Sequence, residues 1–234
     1  MIDFYYSPTP NGWKVAILLE ELGIDYKMHL VRIGKGDQFK PAFLAISPNN
    51  RIPAIVDHDG PEGPVSVFES GAIMIYLAEK TGRFLPAGRL GRKEMLEWMF
   101  WQVGGQGPMA GQLSHFVNYA PEDERAYGHK RYKGEYERLL SVMERRLTEQ
   151  DWMVGDDYSI VDMICWPWVL IAKPLGASLE PFPALSNWRS RVKERPAVQR
   201  AVDLGKESRR NAPPTDEERR LLFEQNAASQ AGGD

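Results

Sequence analysis

The sequence predicts an α+β protein in two parts, a βαβαββα unit over residues 1–82 and an all-helical unit over 92–204. Three observations carry this reading. Strand-like alternation is confined to the stretch before Phe68, helical periodicity runs from about Lys93 onward, and Arg83 to Gly91, broken by Pro86, Gly88 and Gly91, separates the two as a linker. Residues 205–234 form a polar tail.

Ile2, Phe4 and Tyr6 alternate with Asp3 and Tyr5 as a first strand. Ser7-Pro8-Thr9-Pro10-Asn11-Gly12 then turns the chain into a helix. Thr9 is a good N-cap, Pro10 suits the first helical position, and Val15, Leu18, Leu19 and Leu22 share one side up to a stop at Gly23. Asp25 to Ile33 is a second strand, and a strand, helix, strand order of this length implies a right-handed parallel crossover. Gly34 to Asp37 is a loop, Gln38 to Ile46 a short helix at best, and Ile52 to Asp57 a third strand led in by Pro53. Gly60 to Pro64 turns the chain into a fourth strand, Val65 to Phe68. Ser70 is expected to cap a helix from Gly71 to Lys80 that ends at Gly82.

In the second part, Lys93 to Val103 places Met95, Trp98, Met99 and Gln102 on one helical face, and Gly104 to Pro108 demands a kink or a break. Glu122 to Gln150 is a long helix with Tyr132, Tyr136, Leu139, Leu140, Met143 and Leu147 as its apolar stripe. Ser159-Ile160-Val161-Asp162 is a capping box, opening a helix that runs through Cys165 and Trp166-Pro167-Trp168. A further helix begins near Pro183 with Leu185, Trp188 and Val192 inward. Thr215 to Glu218 resembles another capping box before Leu221, Leu222 and Phe223, while Asn226 to Asp234 is expected to be loose.

The composition narrows the function. With 43% hydrophobic residues the chain is globular, and 29 basic against 32 acidic residues, net −3, leave no basic block for nucleic acid. No apolar run is long enough for a membrane, one cysteine forbids an internal disulfide, and Met1-Ile2-Asp3 enters a strand with no leader ahead, so a cytoplasmic protein is expected. The opening turn aims the first N–H groups of its helix at open space, a setting that favours a carboxylate or a thiolate. Taken alone, the turn reads first as a capped helix and second as an anion site.

The βαβαββα unit, a proline before its third strand, Glu69-Ser70 after its fourth and the Ser159 capping box together resemble the cytosolic glutathione transferases. Within that superfamily, Thr9-Pro10-Asn11-Gly12, Gly34 to Gln38, Ser47 to Ile55, Phe68-Glu69-Ser70-Gly71 and Phe100 to Gly105 are similar to the bacterial nu class, over nearly the whole chain to Val202. The resemblance implies a thioredoxin-like first domain, a homodimer, and glutathione-dependent disulfide-bond oxidoreductase activity, with glutathione as co-substrate and no metal. The partners it implies are glutathione and small disulfides or electrophiles.

By the same resemblance, Ile52 precedes a cis Pro53 and offers its backbone to the cysteinyl unit of glutathione as an added strand would. Ser70 offers hydroxyl and N–H to the γ-glutamyl carboxylate and Glu69 takes the ammonium, while Gln38 supplies an uncharged donor toward the glycyl end and Arg51 a second contact. Thr9 Oγ and the Asn11 amide face the sulfur as the catalytic pair, and Arg131 reaches glutathione across the dimer, whose interface Trp98, Trp101 and Gln102 are placed to build. On the residues alone each has a plainer reading: Pro53 as the start of an edge strand, Glu69-Ser70 as a cap, Arg51 as a solvated cation, Arg131 in a surface salt bridge. Tyr5, Tyr6 and Ser7 are rival hydroxyls at the turn, with Tyr6 looking inward.

A thiol of pKa near 8.5 is only about 3% ionised at pH 7, and lowering its pKa by two units takes about 2.7 kcal/mol. A helix terminus gives up to ~2 kcal/mol and one hydrogen bond to a charged group about 1.5 to 3, so the turn suffices without a base. Where a thioredoxin-like redox protein carries its cysteine, this chain has Thr9, Pro10 and Asn11. Cys165 sits in a Trp-rich helix with a packing role, so the redox sulfurs must come from glutathione, two molecules at the least. The rival readings are conjugation of glutathione to an electrophile and a non-catalytic interaction protein that kept the fold.

Overall fold

In the computed structural model, which describes residues 1–209 and 214–223, the first domain forms around β1 (Ile2–Tyr6). Its Ile2, Phe4 and Tyr6 are buried on one face, and on the other Tyr5 stacks on His29 at 4.9 Å. β1 pairs in parallel with β2 (Tyr26–Leu30) and antiparallel with β3 (Ala54–Asp57), which pairs antiparallel with β4 (Val65–Phe68), so the sheet runs β2-β1-β3-β4. This is the expected α+β arrangement.

β2 is shorter than the Asp25–Ile33 expected. Arg32 donates both its backbone N–H and its Nε–H to the Asp37 carboxylate (3.0 and 2.7 Å), curling the chain into 3-10 turns at Ile33–Lys35 and Asp37–Phe39 before the brief α2 (Pro41–Leu44). The crossover helix α1 (Pro10–Leu22) has no face left for solvent. Every residue from Gly12 to Leu19 is buried, because α1 packs against α3 (Ser70–Thr81) and also against α7 (Ile160–Leu170) and α9 (Pro196–Asp203) of the helical part.

α3 corrects one expectation. Ser70 is its first residue rather than its cap, and Glu69 occupies the cap position at φ +69°, a backbone conformation rare for a residue with a side chain. α4 (Gly88–Trp101) begins inside the stretch expected as linker, and the interruption expected at Gly104–Pro108 is a π-helical turn, Gln102–Gln106, that carries α4 straight into α5 (Gly107–Asn118). Gly107 makes this possible: a Cβ there would lie 3.1 Å from Gln102 Nε2 and 3.4 Å from Trp168 Nε1. Gln102 is fully buried, which removes it from any subunit interface, and Trp98 and Trp101 are half-buried against the core.

The remaining helices follow their signals. α6 (Arg125–Glu149) buries Tyr136, Leu139, Leu140, Met143 and Leu147. α7 opens with the expected capping box, Ser159 Oγ accepting from Val161 N–H and the Asp162 carboxylate from Ser159 N–H. α8 (Pro183–Lys193) turns Leu185, Trp188 and Val192 inward, and α9, which the sequence reading did not separate, follows it. α10 (Asp216–Phe223) starts at the second expected box, with Thr215 N–H donating to Glu218 (2.9 Å) and Glu218 N–H to Thr215 Oγ1 (3.2 Å). The expectation for Asn226 to Asp234 lies outside the described residues. Among the described residues no helix is long and apolar enough to cross a membrane.

Gly12 fixes how closely α1 approaches β1, since a Cβ there would fall 2.3 Å from Ser7 O and 2.7 Å from the Tyr6 ring. Gly12→Ala gains about 1 kcal/mol of helix propensity, yet it is expected to lose about 1–3 kcal/mol net because a backbone carbonyl cannot yield as a side chain does. A urea midpoint at or above that of the unmodified protein contradicts this packing.

Candidate functional site

β1 and β4 run the same way, so the helices that follow them, α1 and α3, both present their N-termini at one end of the sheet. Between them opens a cleft of about 600 Å³, with the π turn, α5 and α10 on its far side. Thr9, Asn11, Gln38, Arg51, Ile52, Pro53, Glu69 and Ser70 all line it. Arg131 does not: it lies on α6 with a side chain 59% exposed, 3.9 Å from Glu135. A larger opening of about 850 Å³ between the end of α7 and α8 holds none of these groups, and the convergence of helix termini points to the smaller cleft.

At the first terminus Thr9 caps α1, its Oγ1 accepting from Gly12 N–H at 3.4 Å and facing Ser7 O at 3.4 Å. Trp13 N–H bonds Thr9 O, and Pro10 has no N–H, so the Asn11 amide and carboxamide are the donors of this turn without a partner among the described residues. Of the rival hydroxyls, Tyr6 is fully buried, donates to Leu204 O and has its pKa raised by burial, while Tyr5 stacks on His29. Ser7 is buried, and its carbonyl accepts from Thr9 N–H at 2.7 Å.

At the second terminus the Glu69 carboxylate accepts from Asn49 Nδ2 at 3.2 Å. The same loop is folded on itself: Arg51 Nη1 donates to Asn50 Oδ1 (3.0 Å), Ser47 Oγ donates to Arg51 O (2.8 Å), and the Ile52–Pro53 peptide bond is cis. Ile52 stands just outside the β1–β3 ladder, which begins at Ala54. Gln38 spends one of its two amide N–H donors inside the protein. Its Nε2 is turned inward to Ile33 O at 3.0 Å, leaving the buried Oε1 as an acceptor with no protein partner among the described residues. A buried acceptor on a cleft wall calls for a ligand or water N–H or O–H.

The sequence reading missed Lys14. It is 2% exposed and lines the cleft floor, with Nζ donating to Gln102 Oε1 at 2.9 Å and to Ser70 Oγ at 3.4 Å. Burial lowers its pKa to about 7, opposed by the nearby Cys165 and Glu69. The signal was present: apolar residues surround α1 on all sides, and a helix hydrophobic all round buries whatever polar residue it carries. Also missed were the Trp168 indole N–H, on the wall and without a partner among the described residues, and Leu222 and Phe223 of α10. Phe223 packs edge-on against His115 at 4.7 Å. Cys165 is absent from the cleft; it is fully buried in α7, where burial raises its pKa well above the ordinary thiol range. Among the described residues no cluster of His, Cys, Asp or Glu could hold a metal ion.

Comparison with known proteins matches residues 9–80 to the glutathione S-transferase N-terminal domain and residues 109–196 to the glutathione S-transferase C-terminal domain. The chain is 50% identical over 204 residues to the disulfide-bond oxidoreductase YfcG of Escherichia coli (strain K12), covering 86% of this chain and 94% of that protein. It is 40% identical over 212 residues to the disulfide-bond oxidoreductase YghU of the same organism, covering 85% and 73%. Among solved structures, a glutathione transferase from Burkholderia graminis with two glutathione molecules bound per subunit superposes with a TM-score of 0.83 at 44% identity, covering 88% of each chain. One from Pseudomonas putida with one glutathione disulfide bound per subunit gives 0.80 at 40%, covering 87% of this chain and 91% of that one.

Proposed function

This chain belongs to the glutathione S-transferase family, and we propose that within it the protein is a glutathione-dependent disulfide-bond reductase whose redox sulfurs come from glutathione. One observation carries the reading: the cleft gathers two helix N-termini and the ligand-facing loop, while the only cysteine of the chain is sealed in the core of the helical part. The names of the relatives, and the two glutathiones or one glutathione disulfide held by the solved neighbours, support it.

In this reading the Asn11 amide donors and the positive end of α1 stabilise the thiolate of one glutathione, with the Thr9 hydroxyl able to turn from Ser7 O toward the sulfur. That thiolate attacks one sulfur of the substrate disulfide, forming a mixed disulfide and expelling the other sulfur as a thiolate. A second glutathione thiolate attacks the mixed disulfide at the glutathione sulfur; glutathione disulfide forms and the second substrate thiolate leaves. The two protons lost by the glutathiones go to the two product thiols, so the oxidation of two glutathiones balances the reduction of one disulfide. Ser70 and the first turn of α3 hold the γ-glutamyl carboxylate, Glu69 the ammonium, and the Ile52 backbone the cysteinyl unit. Gln38 accepts a ligand N–H through its orphaned Oε1, and Arg51 stands near the glycyl end. A lone cysteine fits the cytoplasm, where structural disulfides are rare.

We also propose a homodimer in which Arg131 reaches the partner's ligand. Exposed large apolar side chains, Phe68 on β4, Leu90 and Phe100 on α4 and Tyr127 on α6, leave apolar surface that a second copy could cover. Sedimentation at micromolar concentration is expected to give a dimer, and a monomer removes the role of Arg131.

Glu69→Ala is expected to weaken glutathione binding by ~2 kcal/mol or more, because the ligand ammonium loses its charged partner. Calorimetry reads this directly, and an unchanged dissociation constant in a folded variant means the ligand lies elsewhere. In glutathione-dependent reduction of a small disulfide, Asn11→Ala is expected to lose about ten- to a hundredfold in rate, from one charge-assisted hydrogen bond of about 1.5 to 3 kcal/mol. Cys165→Ala should stay near the unmodified rate; abolition of activity there, with fold and affinity intact, assigns the chemistry to the protein's own thiol.

A further inference from the structure

The mechanism above makes no use of Lys14, although an ammonium stripped of water is costly to bury and this one has no ion pair among the described residues. Its two hydrogen bonds are to neutral groups, Gln102 Oε1 and Ser70 Oγ. Ser70 is also the first residue of α3, at the terminus read here as the seat of the γ-glutamyl carboxylate.

The direction of this short chain of hydrogen bonds depends on the amine. A charged amine has only N–H to offer, so Ser70 Oγ must accept from it, and the single hydroxyl proton of Ser70 is free to point outward. A neutral amine carries a lone pair that competes for the hydroxyl proton, and Ser70 then presents its own lone pairs to any incoming carboxylate. Only the first arrangement forms an unbroken run from ammonium through hydroxyl to carboxylate, each bond polarising the next.

We infer that Lys14 is a positioning residue whose protonation is coupled to ligand binding: the charged amine directs the Ser70 hydroxyl to the γ-glutamyl carboxylate, and the docked carboxylate draws a proton onto Lys14. This rests on the glutathione reading of the cleft. The surroundings leave Lys14 free to respond. The cap position ahead of α3 contributes the Glu69 carboxylate, which the ligand ammonium occupies on binding, and α7 contributes Cys165, a neutral thiol kept so by burial, with Asp162 beyond it. The π turn offers the neutral Gln102, and the arginines of the α9 side, Arg195 and Arg200, are paired with Glu21 and Glu20 at the far end of α1.

Burial holds Lys14 near pKa 7 in the free protein, and a neighbouring anion raises it. The sign follows: the charged amine, and the affinity it supports, is fully present below pH 7 and is lost as pH rises through the raised value of the complex. Between the two values, binding takes up a proton.

The test uses S-methylglutathione, whose sulfur carries no proton, titrated calorimetrically at pH 7.5 in phosphate and in Tris, buffers of very different ionisation enthalpy. The binding enthalpy of the unmodified protein is expected to differ between the buffers, reporting uptake of a substantial fraction of one proton per site, and that of Lys14→Met to be the same in both. Affinity of the unmodified protein should also fall several-fold more than that of Lys14→Met between pH 7 and 8.5. Gln102→Glu supplies a second variant that keeps the amine: its new carboxylate holds Lys14 charged before the ligand arrives, so uptake should drop. Equal enthalpies in the two buffers for the unmodified protein, or undiminished uptake in the variants, overturn the coupling. If S-methylglutathione does not bind at all, the glutathione reading itself falls, and the coupling with it.

Discussion

From Gly12 to Leu19, α1 has protein on every side, and its position is set by packing rather than by any contact with water. The sheet fixes it through the near-contact of Gly12 with Ser7 O, and the helical part fixes it through α7 and α9. Glu20 and Glu21, at its far end, are tied to Arg200 and Arg195 on the α9 side. A helix held this tightly cannot slide or roll without opening cavities, each of which would cost kilocalories. Its N-terminus therefore points into the cleft as a fixed feature of the fold. The cleft inherits its geometry from that constraint: Thr9 and Asn11 sit at its rim, Lys14 one turn deeper on its floor, and the π turn is anchored through Gln102 to that lysine.

Much of this was legible locally. The Thr9 cap and the boxes at Ser159 and Thr215 are hydrogen bonds between residues three or fewer apart, and such signals survive in a bare sequence. What the sequence hid depends on distant partners. Gly104-Gly105-Gln106-Gly107-Pro108 demands a kink or a break but does not say which, because nothing in it reveals that Gly107 packs against Trp168 and Gln102, or that Gln102 is bonded to a lysine on α1. Ser70 looked like a cap because serine ordinarily is one. The positive φ of Glu69 moves the helix start by a residue and turns Ser70 toward Lys14 instead. For Gln38, only the fold shows that one of its two amide N–H groups is spent on Ile33 O while its oxygen faces no partner among the described residues.

Some of the polar groups that the fold leaves unmatched lie at the cleft. Gln38 Oε1, Trp168 Nε1 and Gln102 Nε2 are buried without partners among the described residues, at or just behind its walls, in a protein whose capping groups elsewhere are closely satisfied. Unpaired groups of this kind are expensive to keep, and the two that line the cleft, Gln38 Oε1 and Trp168 Nε1, are open to a partner that arrives from outside. The thiol, by contrast, is fully buried in α7, where it packs as a small apolar side chain.

α10 closes the outer side of the cleft. Leu222 and Phe223 reach its wall, Arg219 donates to Tyr119 O, and Leu221 comes within 4 Å of where a Gly36 side chain would begin, so the helix bridges the first-domain loop and the end of α5. α10 lies beyond residue 196, where the match to the transferase helical domain stops. Met1 is differently placed, since it leads into the starting end of β1, away from the cleft. For anyone handling the protein this has a practical side: an affinity handle or fluorescent partner joined ahead of Met1 hangs from the end of the sheet away from the ligand, which makes that position a natural anchor for immobilising the protein on a resin or sensor chip.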